Sequence, residues 1–454
     1  MRRDWLGNAV TVESDETLKG IDAFQEGFLS YETKAMEILA AADGDPDCAI
    51  ANAYAAMLMM FMEAPEAPAQ ARPYIERAQA AAEGATRREQ MDITAIRAWV
   101  DNDMTKAIKV SREIAAEFPG DLPIVKACQY HAFNLGDAPT MLAVADQVAT
   151  HHVELPYMHG LLAFAYEQCN LLEEAEKAAH RAIALKRKEP WAHHALAHVM
   201  LTQGRTEESK AFMEEMSETW TDLNSFMVTH NWWHLALNYI ALGETQKVLN
   251  LYDQQVWGVW KEYSQDQIGA VSLLLRLELA GVDVGNRWED LADHLAVRTK
   301  DFVQPFLTMQ YLYGLARAGR PEADSLMGNL RAFVPEAPAF CAAAWQEVAL
   351  PACEGLLAHA RGDHRAVLQR LGIALPRMME IGGSHAQRDL FDQVLLDSLI
   401  KLERNVPAQR ALEHRRGFDP MDVPTNRALA AIYQALELPR EAAKAQARVS
   451  QRVS

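Results

Sequence analysis

Asn102, Gly136, Asn170 and Gly204 stand 34 residues apart. All four are residue types that accept the left-handed backbone conformation that ends a helix and starts a turn. Two further sets keep the same step: Ala95, Gln129, Ala163 and Ala197 seven residues before these turns, and Ala107, Met141, Ala175 and Ser209 five residues after them. Small residues at such places let two antiparallel helices approach across a short connection, and a period near 34 is the length of one helix–turn–helix repeat. Segments such as "AIRAWVDNDMTKAIKVSREIAAEF" carry apolar residues at i, i+3, i+4 and i+7, and almost nothing alternates over the length of a strand.

The clearest unit, 157–190, has Leu162, Ala163, Tyr166, Ala175, Ala182 and Pro190 in an arrangement resembling the tetratricopeptide repeat. The expected fold is therefore all-α, a tetratricopeptide-type helical-repeat α-solenoid, with curling around an internal pocket as one form such an array takes. The rhythm loosens after Gly204, with turns at Gly243, Gly319, Gly362 and Pro439, and no Gly-, Ser- or Pro-rich linker separates domains. One helical-repeat domain over 1–454 is expected, with irregular helices at 21–90, regular repeats at 91–256 and irregular pairs at 257–454.

Charge narrows the partners. Forty-four Lys and Arg against 62 Asp and Glu leave a net charge of -18, which repels phosphate backbones and anionic membranes, so neither nucleic acid nor membrane is an expected partner. The N-terminus has no apolar run after its two arginines, and "YAAMLMMFM" is too short to span a bilayer. Cys48, Cys128, Cys169, Cys341 and Cys353 form no C-x-x-C pair and are expected as buried thiols in a reducing cytoplasm. Homo-oligomer formation is left open.

The chemistry-bearing residues fall in two places. "WAHHALAH" and "HNWWH" each hold an H-x-x-x-H, with His230 and His234 following His194 and His198 by 36 residues, close to one repeat. Residues four apart share a helix face, and equivalent helices of successive repeats lie side by side, so the four imidazoles are expected to converge. They are candidate ligands for a divalent ion. Ala195 and Asn231 stand where a zincin has its glutamate, so this is not that protease motif. Glu167 is the candidate carboxylate opposite His198. Without metal, His194, His198, His230, His234, Asn231, Trp233 and Glu167 would line an organic-ligand pocket or form a structural network with Trp191 and Trp232.

The second place is "GGSHAQRDLFDQVLL". Ser384 and Gln387 fit a capping box, while His385, Arg388 and Asp389 at the positive end of a helix would suit a carboxylate or phosphate. "THH" at 150–152 is expected as an exposed turn, and "LKRKEP" at 185–190 as a basic helix end.

These stretches, with "LYDQQV" and "GVDVGNRWEDL", resemble the tetratricopeptide repeat protein 38 family in order and spacing over roughly residues 15 to 440. The resemblance puts His194, His198, His230, Asn231, Trp233, His234, Gly383, Ser384, Gln387, Arg388 and Asp389 at motif positions and implies no established reaction. It also exposes a departure. Where the family has F-N-D-x-H, this chain reads "FLTMQ", with Thr308 and Gln310 in place of the Asp and His. A divalent metal is the one cofactor in view, and this departure argues against it. The leading expectation is a cytosolic protein binding a small-molecule or peptide-like ligand on a histidine-lined concave face, with His194, His198, His230, His234, Asn231, Trp233, Glu167, Gln387, Arg388 and Asp389 as contacts. A metal-assisted hydrolase and a protein-interaction scaffold are its rivals.

Overall fold

The computed structural model describes residues 2–453, and these are helical almost throughout, with twenty-four α-helices in succession. The four turns of the 34-residue step have φ of 60° to 71°. They join the helix pairs Arg87–Val100 with Met104–Glu117, Leu122–Asn134 with Ala138–Ala149, Pro156–Gln168 with Leu172–Leu185, and Pro190–Thr202 with Thr206–Met216. Ala95, Ala107, Ala163 and Ala175 are buried between paired helices as the spacing predicts. Gln129 occupies a place where alanine stands in the other pairs. Its Nε2 donates to the carbonyls of Met141 at 3.0 Å and Leu161 at 3.3 Å, so the longer side chain is accommodated by satisfying buried acceptors. This succession of packed helix pairs is a tetratricopeptide-type α-solenoid architecture.

Two features depart from the sequence reading. A two-residue antiparallel ladder, Arg2–Arg3 with Ala9–Val10, was not expected, because strands so short leave no alternation to read. In the 150–152 turn His152 is buried rather than exposed, its Nε2 lying 2.9 Å from the Pro119 carbonyl oxygen. Cys48, Cys128 and Cys353 are buried as expected, whereas Cys169 and Cys341 are only half-buried. Among the described residues, no helix is long and apolar enough to cross a membrane.

The chain forms two compact units, Met1–Leu196 with Thr219–Met227, and Ala197–Glu218 with Val228–Ser454. In the first, Ile21, Phe24, Ile50, Tyr54, Met57 and Ile75 build an apolar core. Set into it is Arg88, whose Nη1 lies 3.0 Å from Asp92 and 2.5 Å from Asp121, with Asp4 3.8 Å from Nη2. Glu89 next to it anchors the N-terminal ladder by accepting from Thr11 N and Oγ1, both at 2.9 Å.

This unit also holds two buried neutral imidazoles. His193 stands with Nε2 2.8 Å from the Arg187 carbonyl while Nδ1 accepts from Trp220 Nε1 at 3.2 Å, so both ring nitrogens are satisfied without a charge. Burial pushes His131 down to about 3 and His193 down to about 4. Both lie below the ordinary 6.5, so the unfolded chain binds more protons across that interval. The stability that these neutral rings contribute is complete above pH 6.5 and is lost as pH falls toward 4 and then 3. Urea unfolding followed from pH 7 to 4 should therefore show stability decreasing by up to about 1.4 kcal/mol per pH unit for each histidine. His131→Gln should remove one share of that slope.

The second unit closes on itself. Its late residues return to its first helix pair, where Thr206 Oγ1 donates to Asp419 Oδ2 at 2.6 Å and Arg452 pairs with Glu207. Gly204 sits at φ 67° with the Phe418 carbonyl oxygen directly against it, leaving no room for a side chain. The "LYDQQV" stretch contains a π-helical turn, Tyr252–Val256.

Candidate functional site

Three of the four histidines singled out by spacing belong to the second unit. His198 lies on Pro190–Thr202, and His230 and His234 lie on Ser225–Leu242. The His198 and His234 centroids are 4.5 Å apart, and His230 meets His234 edge-on at 4.8 Å. Each ring offers one nitrogen, and these nitrogens lie within 4.8 Å of one another. This is a buried histidine cluster able to coordinate a metal ion. His198 is fully buried and His234 is 2% exposed. Burial, reinforced by the neighbouring His198, pushes His230 down to about 3, so this ring is neutral at physiological pH, the form that ligates metal.

His194 lies one turn before His198 on the same helix, within the first unit, where its ring stacks on Trp191 at 4.4 Å and touches Phe164. Glu167 is also in the first unit, buried on Pro156–Gln168, with Oε2 accepting from Gln168 Nε2 at 2.5 Å. Asn231 and Trp233 are buried on the His230 helix, and Trp233 stacks parallel to His230 at 5.3 Å.

His385 joins the histidine cluster to open space. It is the first residue of His385–Lys401, its ring meets that of His198 at 5.3 Å, and its Nε2 lies 3.0 Å from Thr202 Oγ1. It also lines a cavity of about 690 Å³ together with Leu201, Leu237, Ile240, Arg276, Arg388, Asp389 and Arg415. The turn before His385 needs its glycines. Gly382 and Gly383 have φ of 82° and 74°, and a Cβ on Gly383 would come within 2.8 Å of the Phe306 ring.

The helix start itself is a complete capping box, with Ser384 Oγ accepting from Gln387 N at 3.3 Å and Gln387 Oε1 accepting from Ser384 N at 2.8 Å. Arg388 turns back to donate to the carbonyls of Gly382 and Gly383. Asp389 is held by Arg415 at 2.5 Å and Arg276 at 3.5 Å. Although burial opposes ionisation there, the two guanidinium groups keep its carboxyl well below the usual range. Gln387 is thus spent on capping and Asp389 on an ion-pair network, while Arg388 reaches the cavity wall. Thr308 and Gln310 are buried on Pro305–Arg317, where the Thr308 hydroxyl donates to the Asp301 carbonyl at 2.8 Å.

Sequence reasoning missed Arg276, Arg415 and Thr202, and also the meeting of His385 with His198. Thr202 and His385 are 183 residues apart, beyond any local periodicity. Two buried donors here meet no acceptor among the described residues: Trp233 Nε1 and Arg276 Nε, the guanidinium of Arg276 lying 5.7 Å from the Trp233 ring centre. Buried polar groups without partners mark places where water or a ligand belongs.

No protein-family model matches the chain. Similar solved structures include a Naa15/Naa10 complex bound to HypK-THB, at 14% identity and TM-score 0.25. The match covers 81% of this chain but 64% of the length of that one. A human IFIT1 dimer with PPP-AAAA shares 10% identity over all of this chain and 98% of its own, with TM-score 0.36. The TPR domain of P58(IPK) shares 13% identity over 86% of this chain and 99% of its own, with TM-score 0.21. Likenesses at this level carry no argument about the chain.

Proposed function

We propose that the protein is a cytoplasmic metal-assisted hydrolase whose ion is held by His198, His230 and His234 and whose substrate enters the cavity of the second unit. The observation that carries this reading is the convergence of three imidazole nitrogens within 4.8 Å, two of them on buried residues, beside a cavity of about 690 Å³. His198, His230 and His234 would hold a zinc ion, which when bound would activate water for attack near neutral pH. His385, in ring contact with His198 and facing the cavity, is placed to exchange a proton with the reacting group, and Thr202 orients its Nε2. Arg276 offers a donor for developing negative charge at the cavity wall. Apolar Leu201, Leu237 and Ile240 beside charged Arg388 and Arg415 suit a small substrate with an apolar body and a polar end. Membership of the tetratricopeptide repeat protein 38 family is part of the same proposal, since the H-N-x-W-H and G-G-S-x-A-Q-R-D stretches supply His230, His234 and the turn that presents His385.

Elemental analysis of the protein and of its His198→Ala variant, with turnover of small ester, amide and phosphoester substrates after zinc reloading, tests this reading. The expected result is near one equivalent of metal dependent on His198, and zinc-dependent hydrolysis. Less than about a tenth of an equivalent dependent on His198 would overturn it, because a catalytic ion is held near stoichiometrically. The size of the cavity favours one second reading, a metal-free small-molecule binder. That reading takes over if chelator-treated protein is thermally stabilised by the same substrates.

A further inference from the structure

We propose that His359, His364 and Asp397 form a second divalent-metal site in the second unit, separate from the buried histidines and not dependent on them. His359 is in the last turn of Leu350–Ala360, His364 opens His364–Ala374, and Asp397 lies on His385–Lys401. Gly362, at φ 77°, reverses the chain between the two histidines, so residues five apart in sequence present their rings together at 5.7 Å. One ligand atom from each of the three residues lies within 4.8 Å of the others.

The surrounding bonds orient this set. Tyr313 OH lies 3.2 Å from His359 Nδ1, which turns Nε2 toward Asp397 Oδ2 at 3.0 Å. An imidazole nitrogen so close to a carboxylate oxygen needs a proton or a cation between them. A proton serves when no metal is present, and a divalent ion displaces it and gains His364 as a third ligand. Ser398 Oγ, 3.1 Å from His364 Nδ1, steadies that ring through the nitrogen it contacts. A ligating imidazole is oriented by a partner on its other ring nitrogen, and Tyr313, 2% exposed, stands in that place for His359.

Two nitrogens and one carboxylate suit zinc, cobalt(II), nickel(II) or iron(II) rather than calcium or magnesium. The His359 side chain is 9% exposed and that of Asp397 24%, so water reaches the remaining coordination positions. Asp397 shares its helix with His385, Arg388 and Asp389. An ion here would pin to the preceding helix pair the helix whose first turns wall the cavity.

Cobalt(II) titration of chelator-treated protein, read by visible absorption and by bound-metal analysis after gel filtration, tests the site in the parent and in His364→Ala, Asp397→Asn, Tyr313→Phe and His198→Ala. His364 is half-buried at a helix start, and Asp397→Asn preserves shape, so both variants should keep the parental circular dichroism. The expected result is loss of one equivalent, or at least about 100-fold weaker binding, in His364→Ala and Asp397→Asn. About 10-fold weakening is expected in Tyr313→Phe, the scale of an outer-support loss. An equivalent that survives His198→Ala and disappears in His364→Ala upholds this site whatever becomes of the buried cluster. Unchanged affinity and stoichiometry in His364→Ala and Asp397→Asn, or no bound cobalt in the parent, would overturn it.

Discussion

Replacing His230 with alanine should weaken zinc at the buried cluster by about 100-fold. Full structural zinc sites are worth roughly 10–16 kcal/mol over four ligands, so one imidazole accounts for about 3 kcal/mol, or two orders of magnitude in affinity. The ring also has a packing role, since it stacks on Trp233 and meets His234 edge-on. Alanine therefore removes both a ligand and volume. His230→Gln separates the two: it fills most of the space without offering an imidazole nitrogen, so metal affinity should fall as in the alanine variant while the melting temperature stays closer to the parent. Competition against a chromophoric zinc chelator, in the His364→Ala background, reads the affinity of this cluster alone. Variants that lose stability in step with each other while the parent holds no zinc would mean that the imidazoles form a structural network.

Replacing Arg88 with alanine should cost the first unit about 3–5 kcal/mol, the scale of leaving a buried ion pair without one partner. Its side chain is 4% exposed, and the side chains of Asp4, Asp92 and Asp121 around it are fully buried. Without the guanidinium, three carboxyl groups would face one another in the core, and burial together with Asp121 already raises Asp92 well above the carboxylate range. Arg88 Nη2 also donates to the Ala9 carbonyl at 3.4 Å, so the N-terminal ladder loses an anchor. The deficit should shrink as pH is lowered from 7 to 5, because protonation relieves the repulsion in the folded state first. Urea unfolding of parent and variant at both pH values checks this, and an equal deficit at each would show that lost packing rather than charge is responsible.

What could be read in the chain was local. The 34-residue step of Asn102, Gly136, Asn170 and Gly204 translated directly into four left-handed turns, and the capping box at Ser384 and Gln387 formed as its spacing implies. Gln129 shows the limit of such reading, because a glutamine in a small-residue position looks like a flaw until the two carbonyls that it satisfies are in place. Arg388 and Asp389 show it again. Their position at a helix start is legible in the chain, whereas the engagement of Asp389 by Arg276 and Arg415, on other helices, is not.

The sequence by itself determined the helices, their pairing and the turns between them, since these depend on side-chain period, small residues and backbone conformations only a few positions apart. It also determined that His198, His230 and His234 would meet, because one repeat step carries one helix face onto the next. Only the tertiary structure decided that His385 would stand between this cluster and a cavity, and that His359 and His364 would face Asp397. Those meetings depend on how far the later helices turn as they stack and on where the second unit closes, through contacts such as Thr206 with Asp419. Each helix pair contributes a small rotation set by its own packing, and the sum over many pairs leaves no periodic trace in the chain.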